Sequence, residues 1–591
     1  MTAVLITDCE TSAALECTRA LAHAGYTVHG VGASASNATR WSRYLSSFEC
    51  VPSPWLLPRA FSEACWKTFE LKKISRILPV SEAAISALIT APQLMKEDER
   101  LILANRELLQ LGMSKIAVFE RALATGIRVA RGRIFSSYEE AMSFNDIGWP
   151  RFIRTDNSTE ADGRYQKGRH WMVSTPHEYD AVLKELMGRA ERFLVQEHIR
   201  GRGCGAFVLL HEGEVILSHT HERLAEIPWT GGVSARRRLT FEWSLLERAE
   251  TFLKGLSVSG LAMLEFRKGV VMSEPAREDS FLVEVNARPW GSLALARHAG
   301  IPFVAAWAAR SSPEMQVIQH WQSSRPEMKE RTRTITSTSV WPGEIQHLLS
   351  VLRSCHEREL CLKDALSYFK KSIACLINPT TKYDFLCPRD LGPAVFQFVS
   401  LLSTIVTFAR RRLQMFFHPR ANAPEKEVTR FDQLLMKTKN KNRIALLFVC
   451  QGNRCRSPFA ELLSKKILTD ERYDIQSRGL SVSERSVPLR FHSIFHAFSL
   501  DPRTHVAMPL TADELHRADI IFTMNTVQKR HISKRFGSKL GEKCIDISAF
   551  TGSTQGIDDP YLLAPLEAKR VFNALSGICD QILGKIDRTA L

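Results

Sequence analysis

The chain has 591 residues, 45% of them apolar, and a formal net charge of +16. That length predicts three or four domains, and the apolar share is ample for real cores, which excludes an intrinsically disordered chain. The charge favours anionic partners without choosing among nucleotides, phosphate esters and anionic lipid; no aromatic RNA-binding strand signature is present, so nucleic acid is not expected.

Thirteen cysteines are scattered with no Cys-x-x-Cys pair and no Cys/His array of zinc spacing. This predicts reduced thiols, a cytoplasmic setting and no structural metal. The N-terminus has no basic segment leading into a long apolar one, so no secretory signal is expected.

Residues 1–105 open with an apolar strand (Ala3 to Ile6), a helical segment (Ala13 to Ala24), Gly25 and a second strand (Thr27 to Val31), with a further strand at Ile77 to Val80. This is the pattern of a βαβ domain. The loop from Thr7 to Ser12 is not a Gly-x-Gly-x-x-Gly fingerprint, and a Ser or Thr helix cap is the plainer reading.

From 106 to 312 short strands with few long helices predict a mixed α+β domain. In the run Ser280 to Ser292, strand alternation puts Phe281, Val283 and Val285 on one face and Glu284, Asn286 and Arg288 on the other. Glu265 ends the apolar strand Leu261 to Leu264 and adds a second carboxylate; two hard oxygen ligands and an amide suit Mg²⁺ held through nucleotide phosphates, the alternative being a solvated charged face.

This region resembles the ATP-grasp superfamily, nearest to its carbamoyl-phosphate-synthase-like carboxylate ligases, through the Glu-x-Asn-x-Arg run at 284 to 288 and the stretch Phe193 to Gly201. The resemblance implies ATP and Mg²⁺ as cofactors, Glu265, Glu284 and Asn286 as metal ligands, and Lys115, Arg154, Gln196, Glu197 and Arg288 as the ATP-binding set. Arg154 stands where many relatives carry Lys, and the covering loop Asp162 to Gly168 is poorer in glycine than is usual. Within the hairpin-like Gly213 to Arg223, His221 and Arg223 read either as facing an acceptor or as part of a surface hairpin. Arg236, Arg237 and Arg238 read as a solvated loop or a cradle for a phosphorylated substrate.

Residues 313–442 are expected to form a helical bridge ending in a basic linker, with turns at Pro313, Ser323 to Pro326 and Pro342-Gly343. The apolar run Ala394 to Ala409 leads into Arg410, Arg411 and Arg412; at about sixteen residues it is short of the roughly twenty needed to span a bilayer. A core helix and an interfacial, membrane-peripheral helix are the two readings.

In residues 443–591 an apolar strand ends at Cys450, and Arg456, Ser457 and Pro458 open an apolar-periodic helix, with Ser as cap and Pro at its first position. Strand, tight loop and helix aim backbone N–H groups at one small volume suited to a phosphate dianion. Cys450 would lie on its floor as a thiolate stabilised by Arg456 and the helix dipole, with Ser457 donating to the sulfur; a buried strand-end cysteine is the plainer alternative. Cys450 and Cys455 read either as a reversible disulfide or as a nucleophile over a packed neighbour.

The run Cys450, Gln451, Gly452, Asn453, Arg454, Cys455, Arg456, Ser457, Pro458 resembles the signature of low-molecular-weight protein tyrosine phosphatases, and Ala518 to Met524 and Asp558-Asp-Pro-Tyr561 resemble that family's central strand and general-acid loop. The resemblance implies Cys450 as nucleophile, residues 451–455 as the phosphate loop, Arg456 as phosphate ligand, and Asp559 as the acid that protonates the leaving oxygen and then activates water. Arg478 and Asn525 depart from the family, which usually has a small residue and Asp there.

The expected architecture is therefore α/β multidomain: a βαβ domain, an ATP-grasp α+β domain and a parallel-sheet phosphatase domain. The expected function is bifunctional. One activity joins a small-molecule carboxylate to a nucleophile through an acyl phosphate, and the other hydrolyses a phosphomonoester or phosphotyrosine through a phosphocysteine. The alternatives are a regulatory tyrosine phosphatase with a nucleotide-binding, non-ligating ATP-grasp part, and a membrane-docked phosphatase.

Overall fold

The computed structural model describes residues 2–91, 100–159, 163–186, 192–271, 273–309, 335–356, 360–417, 424–482, 487–488, 491–551, 557–562 and 565–590. They form two compact units, Met1–Thr407 and Phe408–Leu591. The mixed α/β multidomain class expected from the sequence is the one observed.

The first unit opens with a parallel four-stranded sheet in the order Ser47–Cys50, Thr27–Gly32, Ala3–Ile6, Arg76–Leu78. Ala3–Ile6 is apolar throughout and wholly buried, as an interior parallel strand must be. The helix Ser12–His23 follows because Thr11 caps it, its hydroxyl accepting from the amide of Ala14. A second, antiparallel sheet orders Gly132–Phe135, Phe193–Glu197, Arg151–Arg154 and His170–Val173. The third sheet has seven strands, from Glu274–Asn286 and Gly260–Val271 through Arg200–His211, Glu214–Ile227 and Val233–Thr240 to Thr336–Thr338 and Thr381–Tyr383.

Those last two strands come from the segment expected to be a helical bridge. Pro342 and Gly343, expected in a turn, lie in a single helical turn, Val340–Glu344. Pro313 and Ser323 to Pro326 lie outside the described residues.

What fixes the 381–391 segment onto the helix Ser12–His23 is a buried charge cluster. Arg19 is fully buried and its guanidinium donates to Asp390 at 2.8 Å, Glu16 at 2.7 Å and the carbonyls of Asp384 and Phe385 at 3.0 and 3.1 Å. Asp390 also accepts from the Ser42 hydroxyl and the Arg43 amide. Every charge is compensated, which is the condition for keeping a guanidinium in a core.

The run Ala394 to Ala409 lies within the long helix Gly392–Phe417. It is not a core helix over its described part: Val395, Phe398, Val399, Leu402, Ile405 and Val406 recur at helical spacing and are all exposed. Among the described residues no helix is long and apolar enough to cross a membrane. The side chains of Arg410, Arg411 and Arg412 lie outside the described residues.

The second unit has a parallel sheet ordered Tyr473–Gly479, Ile444–Cys450, Ile520–Thr523, Cys544–Asp546. The helix Pro424–Thr438 belongs to this unit, since Phe431 and Leu435 enter its core beside Phe522 and Ile545. The expected basic linker is short and anchored, with Lys441 paired to Asp519 at 2.5 Å.

All eleven tryptophans precede residue 342, so tryptophan emission reports the first unit alone. Asp390→Ala leaves Arg19 and Arg297 sharing Glu16 alone, one buried positive charge in excess, and the tryptophan-detected unfolding transition is expected to lose about 3–5 kcal/mol in urea titration. An unchanged midpoint would show that the cluster does not hold the unit together.

Candidate functional site

In the second unit the strand Ile444–Cys450 is interior to the sheet and delivers Cys450 to a loop closed by the helix Arg456–Ile467. The helix begins at Arg456, two residues earlier than the sequence suggested. Ser457 is therefore inside the first turn rather than at the cap, and its hydroxyl donates to Cys450 Sγ at 3.0 Å instead of to a backbone amide. The Asn453 amide donates to the same sulfur at 3.2 Å. Two donors therefore converge on the one sulfur.

Asn453 adopts a left-handed backbone conformation (φ 53°) and is fully buried. Its side-chain amide donates to Ser457 and Ser477 Oγ at 3.0 and 2.8 Å, its Oδ1 accepts from the Met508 amide at 2.9 Å, and His505 Nε2 donates to its carbonyl at 2.9 Å. Gly479 lets the loop pack this closely, because a Cβ there would come within 3.1 Å of the Asn453 amide.

Beneath the loop, Glu461 accepts from Ser477 at 2.6 Å and pairs with Lys465 at 2.5 Å. Burial disfavours its charge, but the bonds from His505, Lys465 and Ser477 outweigh this and hold its pKa at about 2. A carboxyl held below its ordinary value stabilises the fold above that ordinary value, and the contribution is lost as pH falls toward about 2.

Arg456 is buried; Nη1 donates to the Ile557 carbonyl at 2.8 Å and Nη2 to Asp559 Oδ2 at 2.6 Å. Among the described residues its Nε has no hydrogen-bond partner, and a buried cationic donor without one is suited to a phosphate oxygen. Asp559 is joined to Arg456 on one oxygen and accepts from the Tyr561 amide on the other, so Asp559 and Arg456 are held together at the rim. The guanidinium of Arg454 stands 5.0 Å over the Tyr561 ring. Gln451 and Gly452 complete the loop, the Gln451 carbonyl accepting from the Ser481 amide at 2.8 Å.

Cys455 is buried, and burial pushes its thiol pKa up, first among the causes and reinforced by Cys450; all thirteen cysteines are free thiols. Of the two departures, Arg478 turns to Glu514 and to Gln476 at 2.9 Å, and Asn525 caps the helix Thr526–Phe536 by accepting from the Gln528 amide.

In the first unit Lys115, Glu284, Asn286 and Arg288 line one cavity of about 230 Å³ together with Trp55, Glu82, Asn157, Tyr165 and Lys167. Lys115 Nζ donates to Asn157 Oδ1 at 3.2 Å. Glu284 stands directly opposite Glu265 on the neighbouring strand and accepts from Asn286 Nδ2 at 3.1 Å. Arg154 Nη2 lies 3.9 Å from Glu284. Burial opposes the Glu284 charge, but Arg154 and Lys115 outweigh it and keep its pKa below the usual glutamate value. For Glu265 burial wins over the 2.7 Å ion pair with Arg223, and its pKa is raised.

Glu284 and Asn286, with Glu265 beside them and three cations at hand, fit Mg²⁺ bound through phosphates. Among the described residues no group of three or more His, Cys, Asp or Glu gathers as a self-contained metal site, so such an ion would need ligand oxygens as well. The fit is poorer at the other end. The space bounded by Phe119, Val129, Leu194, Gln196 and Leu282 has no room for a water molecule, and Arg154 lines it, donating to the Val283 carbonyl at 2.8 Å. Gln196 donates to the Ala130 carbonyl and Glu197 accepts from Ser273.

Two further readings are corrected. His221 and Arg223 are not on a surface hairpin: both are buried, His221 packing on Phe207 at 4.4 Å and Arg223 pairing with Glu265. Burial pushes the His221 pKa far down, so the ring is neutral. Arg236 and Arg237 form neither a solvated loop nor an open phosphate cradle, because both are buried, with Glu344 3.5 Å from Arg236 and Asp384 2.5 Å from Arg237.

Tyr165 and Lys167 belong to the covering loop read from the sequence, whereas Trp55, Glu82, Asn157 and His505 come from separate stretches with no shared local spacing. The covering hairpin pairs Ser158–Thr159 with Tyr165–Gln166; Asp162 lies outside the described residues.

Residues 445–590 match the family Low molecular weight phosphotyrosine protein phosphatase. The low molecular weight protein-tyrosine-phosphatase PtpB of Staphylococcus epidermidis is 35% identical over 117 residues, 20% of this chain and 80% of that protein. The protein-arginine-phosphatase of Bacillus subtilis is 31% identical over 121 residues, 20% of this chain and 79% of that protein. Among solved structures, the biotin carboxylase–ATP analogue complex of Campylobacter jejuni is similar over 52% of this chain and 70% of that chain, with a TM-score of 0.42 and 15% identity. Identity of this degree over most of a relative's length means that the chain belongs, through its C-terminal unit, to the low molecular weight phosphotyrosine protein phosphatase family.

Proposed function

We propose that the chain is a bifunctional enzyme, a cysteine-dependent phosphomonoesterase joined to an ATP- and Mg²⁺-dependent carboxylate ligase. The observation that carries the first half is the pair of donors from Asn453 and Ser457 on Cys450 Sγ, beside the unpartnered Arg456 Nε. Cys450 attacks phosphorus, the P–O bond to the leaving group breaks, and Asp559 gives that oxygen its proton. Asp559 then takes a proton from the water that cleaves the phosphocysteine, regenerating the thiolate and releasing inorganic phosphate. For Asp559 to act it must leave Arg456, which a bound phosphate would engage in its place.

Arg454 and Tyr561 at the rim favour an aryl phosphate, as in phosphotyrosine, over phosphoarginine, whose own guanidinium would face a second one. The cavity lined by Lys115, Lys167, Glu284, Asn286 and Arg288 supports the second half. There Lys115 and Lys167 would hold phosphate oxygens, and Glu265, Glu284 and Asn286 would hold Mg²⁺, which when bound neutralises phosphate charge. A substrate carboxylate would receive the terminal phosphoryl group of ATP, and an amine or other nucleophile would displace phosphate from the resulting acyl phosphate. If this half binds nucleotide without turning it over, the regulatory phosphatase reading takes its place.

The free thiols support a reducing, cytoplasmic setting. The apolar stripe from Val395 to Val406, followed in sequence by Arg410, Arg411 and Arg412, supports peripheral docking on an anionic bilayer.

Cys450→Ser is expected to lower phenyl phosphate hydrolysis by about four orders of magnitude or more, and Asp559→Asn by about 10²–10⁴, less with p-nitrophenyl phosphate. Full activity of Cys450→Ser would remove the nucleophile assignment. Glu284→Ala is expected to abolish Mg²⁺-dependent binding of an ATP analogue in calorimetry while aryl phosphate hydrolysis is retained; unchanged Mg²⁺-dependent affinity would refute the metal role. The full chain is expected to co-sediment with anionic liposomes at low salt and to be released as salt rises. Failure to sediment would refute docking.

A further inference from the structure

The helix Thr526–Phe536 starts at the sheet edge that carries Cys450. Ile520–Thr523 runs parallel to Ile444–Cys450 with Thr523 opposite Val449, so Met524 leaves the sheet beside Cys450. The Met524 carbonyl accepts from the Ile557 amide at 3.1 Å, and the Ile557 carbonyl accepts from Arg456 at 2.8 Å, which ties the start of this helix to Arg456.

One face of the helix enters the core through Gln528 and Ile532. The other is a continuous exposed stripe of Thr526, Val527, Arg530, His531, Lys534 and Arg535, at the four-residue spacing that runs along a helix. From Asn525 to Gly541 the chain carries Lys529, Arg530, Lys534, Arg535 and Lys539 and no Asp or Glu. Lys529 pairs with Glu427, but among the described residues Arg530, Lys534 and Arg535 have no carboxylate partner. Lys534 and Arg535 suit the negative end of the helix dipole, whereas Arg530, in the middle, gains nothing from it. Arg530 and Lys534, one turn apart, repel each other, a cost that an anion laid along the stripe would remove.

We infer that this stripe docks an acidic segment of a protein whose phosphotyrosine is presented to Cys450. The inference rests on the phosphatase reading and names the substrate class that site serves. A protein is favoured over a lipid surface or a nucleic acid because the stripe begins beside the nucleophile, so the acidic segment it holds keeps the attached phosphotyrosine at high local concentration there. The helix is about 16 Å long and an extended peptide covers about 3.3 Å per residue, which puts the acidic side chains roughly three to six positions from the phosphotyrosine.

The test uses the full chain and phosphotyrosine peptides of one length, with glutamates at that distance after the phosphotyrosine, with glutamates before it, or with serines instead. At low salt kcat/KM is expected to be about tenfold higher for one of the acidic peptides than for the serine peptide, the advantage falling as salt rises. In the triple variant Arg530→Gln, Lys534→Gln, Arg535→Gln the advantage is expected to vanish while phenyl phosphate hydrolysis stays at the parent level. Equal kcat/KM for all the peptides, or an advantage that the variant keeps, would overturn the inference. So would a variant that loses binding to anionic liposomes or single-stranded RNA while its peptide turnover is unchanged. Fluorescence anisotropy with the labelled acidic peptide separates the two readings. If the chain hydrolyses no ester, binding by the parent that the variant loses would sink the phosphatase reading and leave the docking surface standing, and no binding would sink both.

Discussion

The left-handed turn at Asn453 is the constraint on which the phosphatase site depends. A non-glycine residue adopts such a conformation only when its surroundings fix it, and here they do so through hydrogen bonds to Ser457, Ser477, Met508 and His505. The turn aims the Asn453 amide at Cys450 Sγ and keeps Ser457 within reach of the same sulfur. Glu461, charged because its hydrogen bonds outweigh its burial, holds Ser477 and so the floor of the network. Ser477, Met508, His505 and Glu461 thus act on Cys450 only through Asn453 and Ser457.

The first unit solves a different problem, that of keeping many charges inside a cavity. Arg154 and Lys115 compensate Glu284, Arg223 compensates Glu265, and Glu82 compensates Arg288. Each pair is one that a ligand could open by substitution, since a phosphate or a metal ion replaces one partner for the other. The closed space around Arg154 means that a base could enter only if that side chain moved. The buried pairs between Arg19 and Asp390 and between Arg237 and Asp384 fasten the 381–391 segment instead.

Most of the residues proposed for catalysis could be picked out in the sequence because they are local. Cys450 to Ser457 are consecutive, and Glu284, Asn286 and Arg288 share a strand face by simple alternation. The start of the helix at Arg456 was misjudged because Ser457 and Pro458 make a good capping pattern, but the sulfur takes the hydroxyl. Glu82 and Trp55 could not be found in this way, since only the folded chain brings them to Arg288. The burial of His221 and Arg236 is not legible for a related reason: only the seven-stranded topology encloses these polar residues.

The central claim is that Cys450 carries the phosphoryl group, and trapping that species tests it most directly. Rapid acid quench of the Asp559→Asn protein during turnover of p-nitrophenyl phosphate, followed by peptide mass spectrometry, should find one phosphate on the peptide containing Cys450. Steady hydrolysis with that peptide unmodified, or with the phosphate on another side chain, would contradict the account.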